Sequence, residues 1–173
     1  MTLTNADGTP RVTASMHPLD ETTGAVRVHS RFATTPEDLW EAITDPARLA
    51  RWICVVEGDL RLGGTVHQRY VSGWEGDSVI EACDPPRELV IAGTDEEYQL
   101  TTRLTARITP DGDGAILWVE DAGLPLDQLP FHTGGWQVHL EDLVQYLELG
   151  RDSTEWRERW EARMPQFQAM PAE

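Results

Sequence analysis

The chain has 173 residues, 40% of them apolar, and a formal net charge of −16. Length and composition indicate one globular domain, and the charge disfavours nucleic-acid and anionic membrane partners. No apolar run approaches the length of about 18 residues typical of a membrane span, and no signal-peptide core is present, so we expect a cytoplasmic protein with neither nucleic-acid nor membrane partners.

The N-terminal third predicts a tail, a strand and two short helices. Residues 1–24 are polar and aperiodic, which predicts a loose tail. Residues 25–32 alternate between apolar and polar, as a strand does. The segment 35–38 (TPED) supplies a capping hydroxyl, a proline and two carboxylates, which together favour a helix start. Asp45-Pro46 then ends this helix and begins another, which carries Trp52.

A run of about six short strands follows, separated by turns rich in glycine and proline. The alternation is cleanest in the fifth of these strands. The predicted strands cover residues 54–60, 64–72, 77–83, 89–92, 98–108 and 115–119.

The C-terminal part changes to helical spacing. After a predicted loop at 123–135, apolar residues recur at helical intervals over about 134–149, and Gly150 ends that helix. The extension 151–173 carries a short amphipathic helix over 154–163, which Pro165 is expected to stop. The order predicts an α+β fold in which a curved antiparallel sheet wraps around the long helix, with residues 25–150 as the domain.

Several short motifs resemble the AHSA1-like proteins (activator of Hsp90 ATPase homologue-like) of the START-like superfamily. They are 32–46 (FATTPEDLWEAITDP), 51–52 (RW), 63–64 (GG), 84–89 (DPPREL) and 135–136 (GW), in that order. The resemblance covers about residues 25–150 and implies a helix-grip fold with a pocket between sheet and C-terminal helix. Two features depart from the family: Ala92-Gly93, where an aromatic residue is often found, and the extension after Gly150.

Alternation on the strands and the family pattern together predict the pocket walls. Val66, Gln68 and Tyr70 should point inward, with His67 and Arg69 in solvent. The residues that we expect to contact a ligand are Trp52, Val66, Gln68, Tyr70, Tyr98, Leu100, Thr102, Leu117, Trp136, His139, Leu140 and Leu143. Mostly apolar walls with a few polar groups suit a hydrophobic or aromatic small molecule.

Two titratable residues are catalytic candidates. His139 lies beside the apolar stripe of the long helix, where it could contact a ligand or act as acid or base, or it could be a surface histidine. Asp121 falls at an inward position, unless the strand has already ended and the carboxylate is solvated. His132 and His139 lack a third partner at metal-site spacing, and no nucleotide motif occurs, so no metal or cofactor is predicted.

Three functions stay open. The first, which we favour, is a binding protein for an apolar or aromatic small molecule. The second is a cyclase-, dehydratase- or hydrolase-like enzyme that uses the same pocket with His139 and Asp121. The third is an interaction module for an Hsp90-type chaperone, which the sequence does not favour because no docking surface can be named.

Two further expectations concern the surface and the thiols. Trp118 should lie on the outer face of the sheet, and we expect either the extension 151–173 or a second subunit in a homodimer to cover it. Cys54 and Cys83 form no metal or redox motif and are expected to be buried free thiols.

Overall fold

The computed structural model of the chain describes residues 3–95 and 100–173. Its strands are β1 (Val12–Pro18), β2 (Thr23–Phe32), β3 (Cys54–Gly58), β4 (Thr65–Tyr70), β5 (Glu75–Asp84), β6 (Glu88–Asp95), β7 (Leu100–Asp111) and β8 (Gly114–Pro125). Its helices are α1 (Pro36–Thr44), α2 (Pro46–Trp52), α3 (Leu129–Leu149) and α4 (Trp156–Gln168), and a single 3-10 turn (Leu126–Gln128) precedes α3.

All eight strands form one antiparallel sheet in the order β1-β2-β8-β7-β6-β5-β4-β3. The long helix α3 packs against β1 and β2 at one end of the sheet, while α1 contacts β7 and β8 and α2 contacts β3. This arrangement confirms the predicted α+β helix-grip fold. No helix in the described ranges is both long and apolar enough to cross a membrane.

The two short helices begin where the sequence indicates. The Thr35 hydroxyl accepts a hydrogen bond from the backbone N–H of Asp38 (3.2 Å), and the Asp45 carboxylate accepts one from Arg48 (2.9 Å). Each cap satisfies a backbone donor that the first helical turn leaves unpaired. Asp45 both ends α1 and caps α2, which holds the two helices at a sharp corner over the sheet.

The expectation of a loose tail over residues 1–24 is wrong for its second half. Residues 12–18 form the edge strand β1, which pairs with β2 from Val12 opposite Ser30 to Pro18 opposite Gly24. Val12 and Met16 are buried in the main core. Residues 12–17 (VTASMH) do alternate between apolar and polar, and the apolar face of the strand packs against α3.

The predicted loop at 123–135 is also wrong, because α3 begins at Leu129 and runs through Gly134 and Gly135. Glycine inside a helix costs roughly 0.5–1 kcal/mol relative to alanine. Here α4 packs directly on the glycines, and a Cβ atom at Gly134 would collide with Met164 Cε. The close approach of α4 buries enough apolar surface to offset the glycine cost.

The helix α4 does not stop before Pro165, as its sequence suggests, but continues to Gln168. Met164 and Phe167, on either side of the proline, are both buried. Proline inside a helix costs about 3 kcal/mol through the lost hydrogen bond and a steric clash. Burial of these two side chains compensates, since full burial of one such side chain is worth about 1.5–3 kcal/mol.

Trp118 lies on the outer face of the sheet, as predicted, with 43% of its surface exposed. Its ring stacks on that of His29, with centroids 4.0 Å apart. The apolar side chains of α4 pack on α3 instead, so the expectation that the extension covers Trp118 is wrong. Cover by a second subunit stays a prediction.

Candidate functional site

A cavity of about 160 Å³ lies between the concave face of the sheet and the α1–α2 corner. The described residues that line it include no charged side chain. Most are apolar: Trp40, Ile43, Leu49 and Trp52 come from the two helices, and Val56, Val66, Ile80, Leu89, Ile91, Leu104, Ala106, Leu117 and Val119 come from the sheet.

Half of the predicted ligand-contacting residues line this cavity. They are Trp52, Val66, Gln68, Tyr70, Leu117 and Trp136. Of the others, Leu140 and Leu143 are fully buried in the core, Leu100 and Thr102 lie on β7 away from the cavity, and Tyr98 falls outside the described residues. His139 is also absent from the lining.

The cavity position differs from the expected one between sheet and C-terminal helix. Trp136 is the only residue of α3 among the described lining residues. Elsewhere α3 packs on β1, β2 and α4, and its residues Leu140 and Leu143 are fully buried in the main core. The α1–α2 corner therefore forms the roof of the cavity, a role that capping signals alone do not reveal.

Cys83 reaches the cavity through an irregularity in β5. The pairing of β5 with β6 shifts register between Ile80 and Ala82. An extra residue in a strand reverses the faces of the residues beyond it. Ile80 and Cys83 consequently line the same cavity although they are three residues apart, and simple alternation misses this.

The cavity reaches the surface near Leu60 and Cys83, which are both exposed lining residues. The expectation of two buried thiols therefore fails for Cys83. Cys54, deeper in the wall, is buried, and this burial raises the pKa of its thiol to about 12. Cys54 is thus an uncharged wall group at neutral pH.

Indole and hydroxyl groups in the wall are held by hydrogen bonds to the protein. Trp52 Nε1 donates to the carbonyl oxygen of Ala42 (2.9 Å), and the Thr44 hydroxyl donates to that of Trp40 (2.7 Å). Trp136 Nε1 donates to Asp121 Oδ2 (3.0 Å). These bonds restrain the side chains of Trp52, Thr44 and Trp136 in the wall.

Gln68 and Tyr70 form a short polar chain in the otherwise apolar wall. Ser78 Oγ donates to Gln68 Oε1 (2.8 Å), and Gln68 Nε2 donates to the Tyr70 hydroxyl over a long 3.4 Å. Both side chains point inward while His67 and Arg69 are more exposed, as the alternation predicts. His67 contacts Asp77 and Glu75 on the outer face, and these carboxylates raise its pKa.

Asp121 supports the wall rather than forming it. Strand β8 continues to Pro125, which keeps Asp121 within the sheet, and its side chain is only 14% exposed. Its contacts are with Trp136 and, at 3.6 Å, His132 Nδ1. Within residues 3–95 and 100–173, no group of three His, Cys, Asp or Glu side chains could hold a metal ion.

His139 lies behind the cavity wall, inside a group of aromatic rings. Its ring centroid is 5.9 Å from that of Tyr70, 5.7 Å from Trp136 and 5.1 Å from Trp156 of α4. Burial, with a smaller contribution from the charge of Arg159, lowers the pKa of His139 to about 3. The alternative of a surface histidine is therefore wrong, and a neutral ring at this position cannot serve as a general acid near pH 7.

The far side of α3 carries a buried ionic cluster that sequence reasoning missed. Arg163 donates to Glu141 and Arg159 to Asp142, while Gln137 Nε2 donates to Glu141 Oε1 (2.9 Å). Both carboxylates are almost fully buried. The signal in the sequence is the pair Glu141-Asp142 within an apolar helix, which requires cationic partners from another element.

Comparison with known structures gives similar folds. The crystal structure of CalU16 from Micromonospora echinospora matches with a TM-score of 0.71 and 24% identity, over 91% of this chain and 95% of CalU16. The Aha1 dimer from Colwellia psychrerythraea matches with a TM-score of 0.63 and 16% identity, over 73% of this chain and 97% of that one. At these identities the likeness shows the fold alone.

DynU16, a protein of the dynemicin biosynthetic locus, matches with a TM-score of 0.68 and 23% identity over 74% of this chain. The match covers 48% of DynU16, so this chain spans about half its length.

No curated protein sequence matches the chain. The family model for activator of Hsp90 ATPase homolog 1-like proteins matches residues 33–148, about two thirds of the sequence. The chain therefore belongs to the family of activator of Hsp90 ATPase homolog 1-like proteins.

Proposed function

We propose that this protein binds a small apolar or aromatic molecule in the cavity beneath the α1–α2 corner. The observation that carries the proposal is a cavity of about 160 Å³ with apolar walls that reaches the surface near Leu60 and Cys83. An apolar cavity of about 150 Å³, engineered into another protein, binds benzene. A ligand with one ring and a small substituent therefore suits this site.

The electrostatics favour an uncharged ligand. The described lining residues include no arginine that could pair with an anion, and the chain as a whole carries a net charge of −16. Moving an ionised group into such walls without a partner is strongly unfavourable. DynU16, with its similar fold, belongs to a biosynthetic locus, which supports a small-molecule role.

Binding can be measured with hydrocarbon probes through the tryptophans of the wall. Trp40, Trp52 and Trp136 line the cavity, so a bound ring should change their fluorescence. Benzene, toluene and α-methylstyrene are suitable probes. A ligand at about 100 times its Kd stabilises the folded state by about 2.7 kcal/mol, which a thermal-shift measurement detects.

A pair of substitutions on β7 tests the location. Ala106→Leu places extra volume in the cavity, whereas Thr105→Leu adds a leucine to the opposite face of the same strand. We expect Ala106→Leu to abolish the ligand-induced shift and Thr105→Leu to retain it. If no probe stabilises the wild-type protein, or if both variants bind as it does, the proposed site is wrong.

A further inference from the structure

The hydrogen bonds of Gln68 identify which polar group of the wall is available to a ligand. Its Oε1 accepts a hydrogen bond from Ser78 Oγ (2.8 Å). Its Nε2 donates to the Tyr70 hydroxyl (3.4 Å). The oxygen and the nitrogen of the Gln68 amide thus each have a partner within the protein.

The Tyr70 hydroxyl is at the end of this chain of hydrogen bonds. A phenol has one donor and can also accept, and here the oxygen accepts from Gln68. The proton of Tyr70 consequently points away from Gln68, and Tyr70 itself lines the cavity. Among the described wall residues, the indole groups of Trp52 and Trp136 already donate to protein acceptors. Of the other donors in the wall, the Trp40 indole belongs to the helical roof, whereas Tyr70 ends the polar chain on the sheet side.

We propose that Tyr70 donates a hydrogen bond to a carbonyl oxygen of the ligand, which makes the ligand class neutral aromatic ketones, aldehydes or quinones. This inference rests on the proposed binding function and specifies its ligand. Burial raises the pKa of Tyr70 well above its usual value, so the hydroxyl keeps its proton at neutral pH.

The surroundings favour a carbonyl over a carboxylate. Besides burial, the negative charge of Asp121 raises the pKa of Tyr70, because it disfavours a second negative charge nearby. Trp136 holds Asp121 close to the wall through its hydrogen bond. A carboxylate ligand would add a second negative charge beside Asp121 without a cation to compensate. A carbonyl oxygen accepts the Tyr70 proton without that repulsion.

A matched pair of ligands tests the inference. Acetophenone and α-methylstyrene have nearly the same shape, but the first carries a carbonyl oxygen where the second carries a methylene group. Their Kd values can be measured by tryptophan fluorescence for the wild-type protein, Tyr70→Phe and Tyr146→Phe. Tyr146 is the control because its hydroxyl accepts from Arg48 (3.0 Å) and the residue does not line the cavity.

We expect Tyr70→Phe to raise the Kd of acetophenone roughly three- to tenfold, as the loss of one hydrogen bond would, and to leave that of α-methylstyrene unchanged. Tyr146→Phe should change neither Kd. If the two ligands bind and Tyr70→Phe affects both equally or neither, the inference about Tyr70 is overturned while the binding function stands. If neither ligand nor any hydrocarbon probe binds, both proposals fail.

Discussion

Lowering the pH tests the buried position of His139 directly. In the folded protein its pKa is about 3, against 6.5 for an exposed histidine, because burial disfavours the charged ring. Below about pH 6.5 the unfolded chain therefore takes up a proton that the folded chain does not. The stability associated with the neutral ring is complete above pH 6.5 and is lost progressively as the pH falls towards 3.

The size of this effect follows from the two pKa values. Each pH unit between them changes the free energy of unfolding by about 1.4 kcal/mol, so the loss is roughly 3 kcal/mol at about pH 4.5 and roughly 4 kcal/mol near pH 3. Small domains are typically stable by about 5–15 kcal/mol in total. One buried imidazole should consequently account for a large part of the acid sensitivity of this protein.

Urea unfolding followed by tryptophan fluorescence, at several pH values between 7.5 and 4.5, measures the effect. The comparison protein is His139→Gln, which cannot titrate in this range. Asp142 contributes with the opposite sign, because burial raises its pKa and the folded state then gains stability as the pH falls. That contribution is common to both proteins and cancels in their difference.

The difference in unfolding free energy between wild type and His139→Gln should be constant above pH 6.5. Below this pH the wild type should lose stability faster, by about 1.4 kcal/mol for each pH unit. Parallel pH profiles would refute the reasoning, since they would mean that His139 is protonated in the folded state or reaches solvent. Chemical shifts of the His139 ring between pH 7.5 and 4.5 provide an independent measurement, and they should not titrate.

Three further predictions concern α4 and the outer face of the sheet. Arg163→Met removes one of the two arginines beside the buried Glu141 and leaves Arg159 at 3.5 Å, so urea unfolding should show a loss of about 3 kcal/mol, the lower end of the cost of breaking a buried ion pair. A loss below about 0.5 kcal/mol, the range of ordinary surface substitutions, would contradict the ionic cluster. Deleting residues 151–173 uncovers the buried far side of α3 and should lower the melting temperature, and an unchanged melt and sedimentation coefficient would show that the extension does not support the fold. NMR titration of His67 should give a pKa above 6.5, because Asp77 stabilises the charged ring, and this pKa should fall in Asp77→Asn. The contribution of this pair to the stability of the fold is present below pH 6.5 and disappears as the pH rises through the pKa of His67 in the folded protein.

Local chemistry was sufficient to predict much of the fold. The capping groups Thr35 and Asp45 act within one helical turn, so their effect can be read from neighbouring residues. Alternation along β4 likewise predicts which of its side chains point inward, because adjacent residues of a strand face opposite sides. The order of these elements, together with five short motifs, was enough to predict the helix-grip architecture and the family.

The candidate site was only partly predictable. Residues on regular strands, such as Val66 and Leu117, line the cavity, although it lies beneath the α1–α2 corner and not along the C-terminal helix as expected. Cys83 was not predicted in the wall, because the register shift in β5 arises from pairing with β6 rather than from the sequence of β5. Leu140 was wrongly expected in the wall, since the sequence shows that a helical position is apolar but not which half of the sheet it meets.

The sequence by itself determined strand alternation and helix caps, which depend on neighbouring residues, and the overall charge, which depends on composition. Only the tertiary structure decided that β1 pairs with β2, that α3 continues through Gly134-Gly135, and that His139 is enclosed by rings from β4, α3 and α4. Each of these depends on contact with a segment distant in the chain. The free energy of such contacts comes from buried surface, and which surfaces are buried is set by how the elements pack.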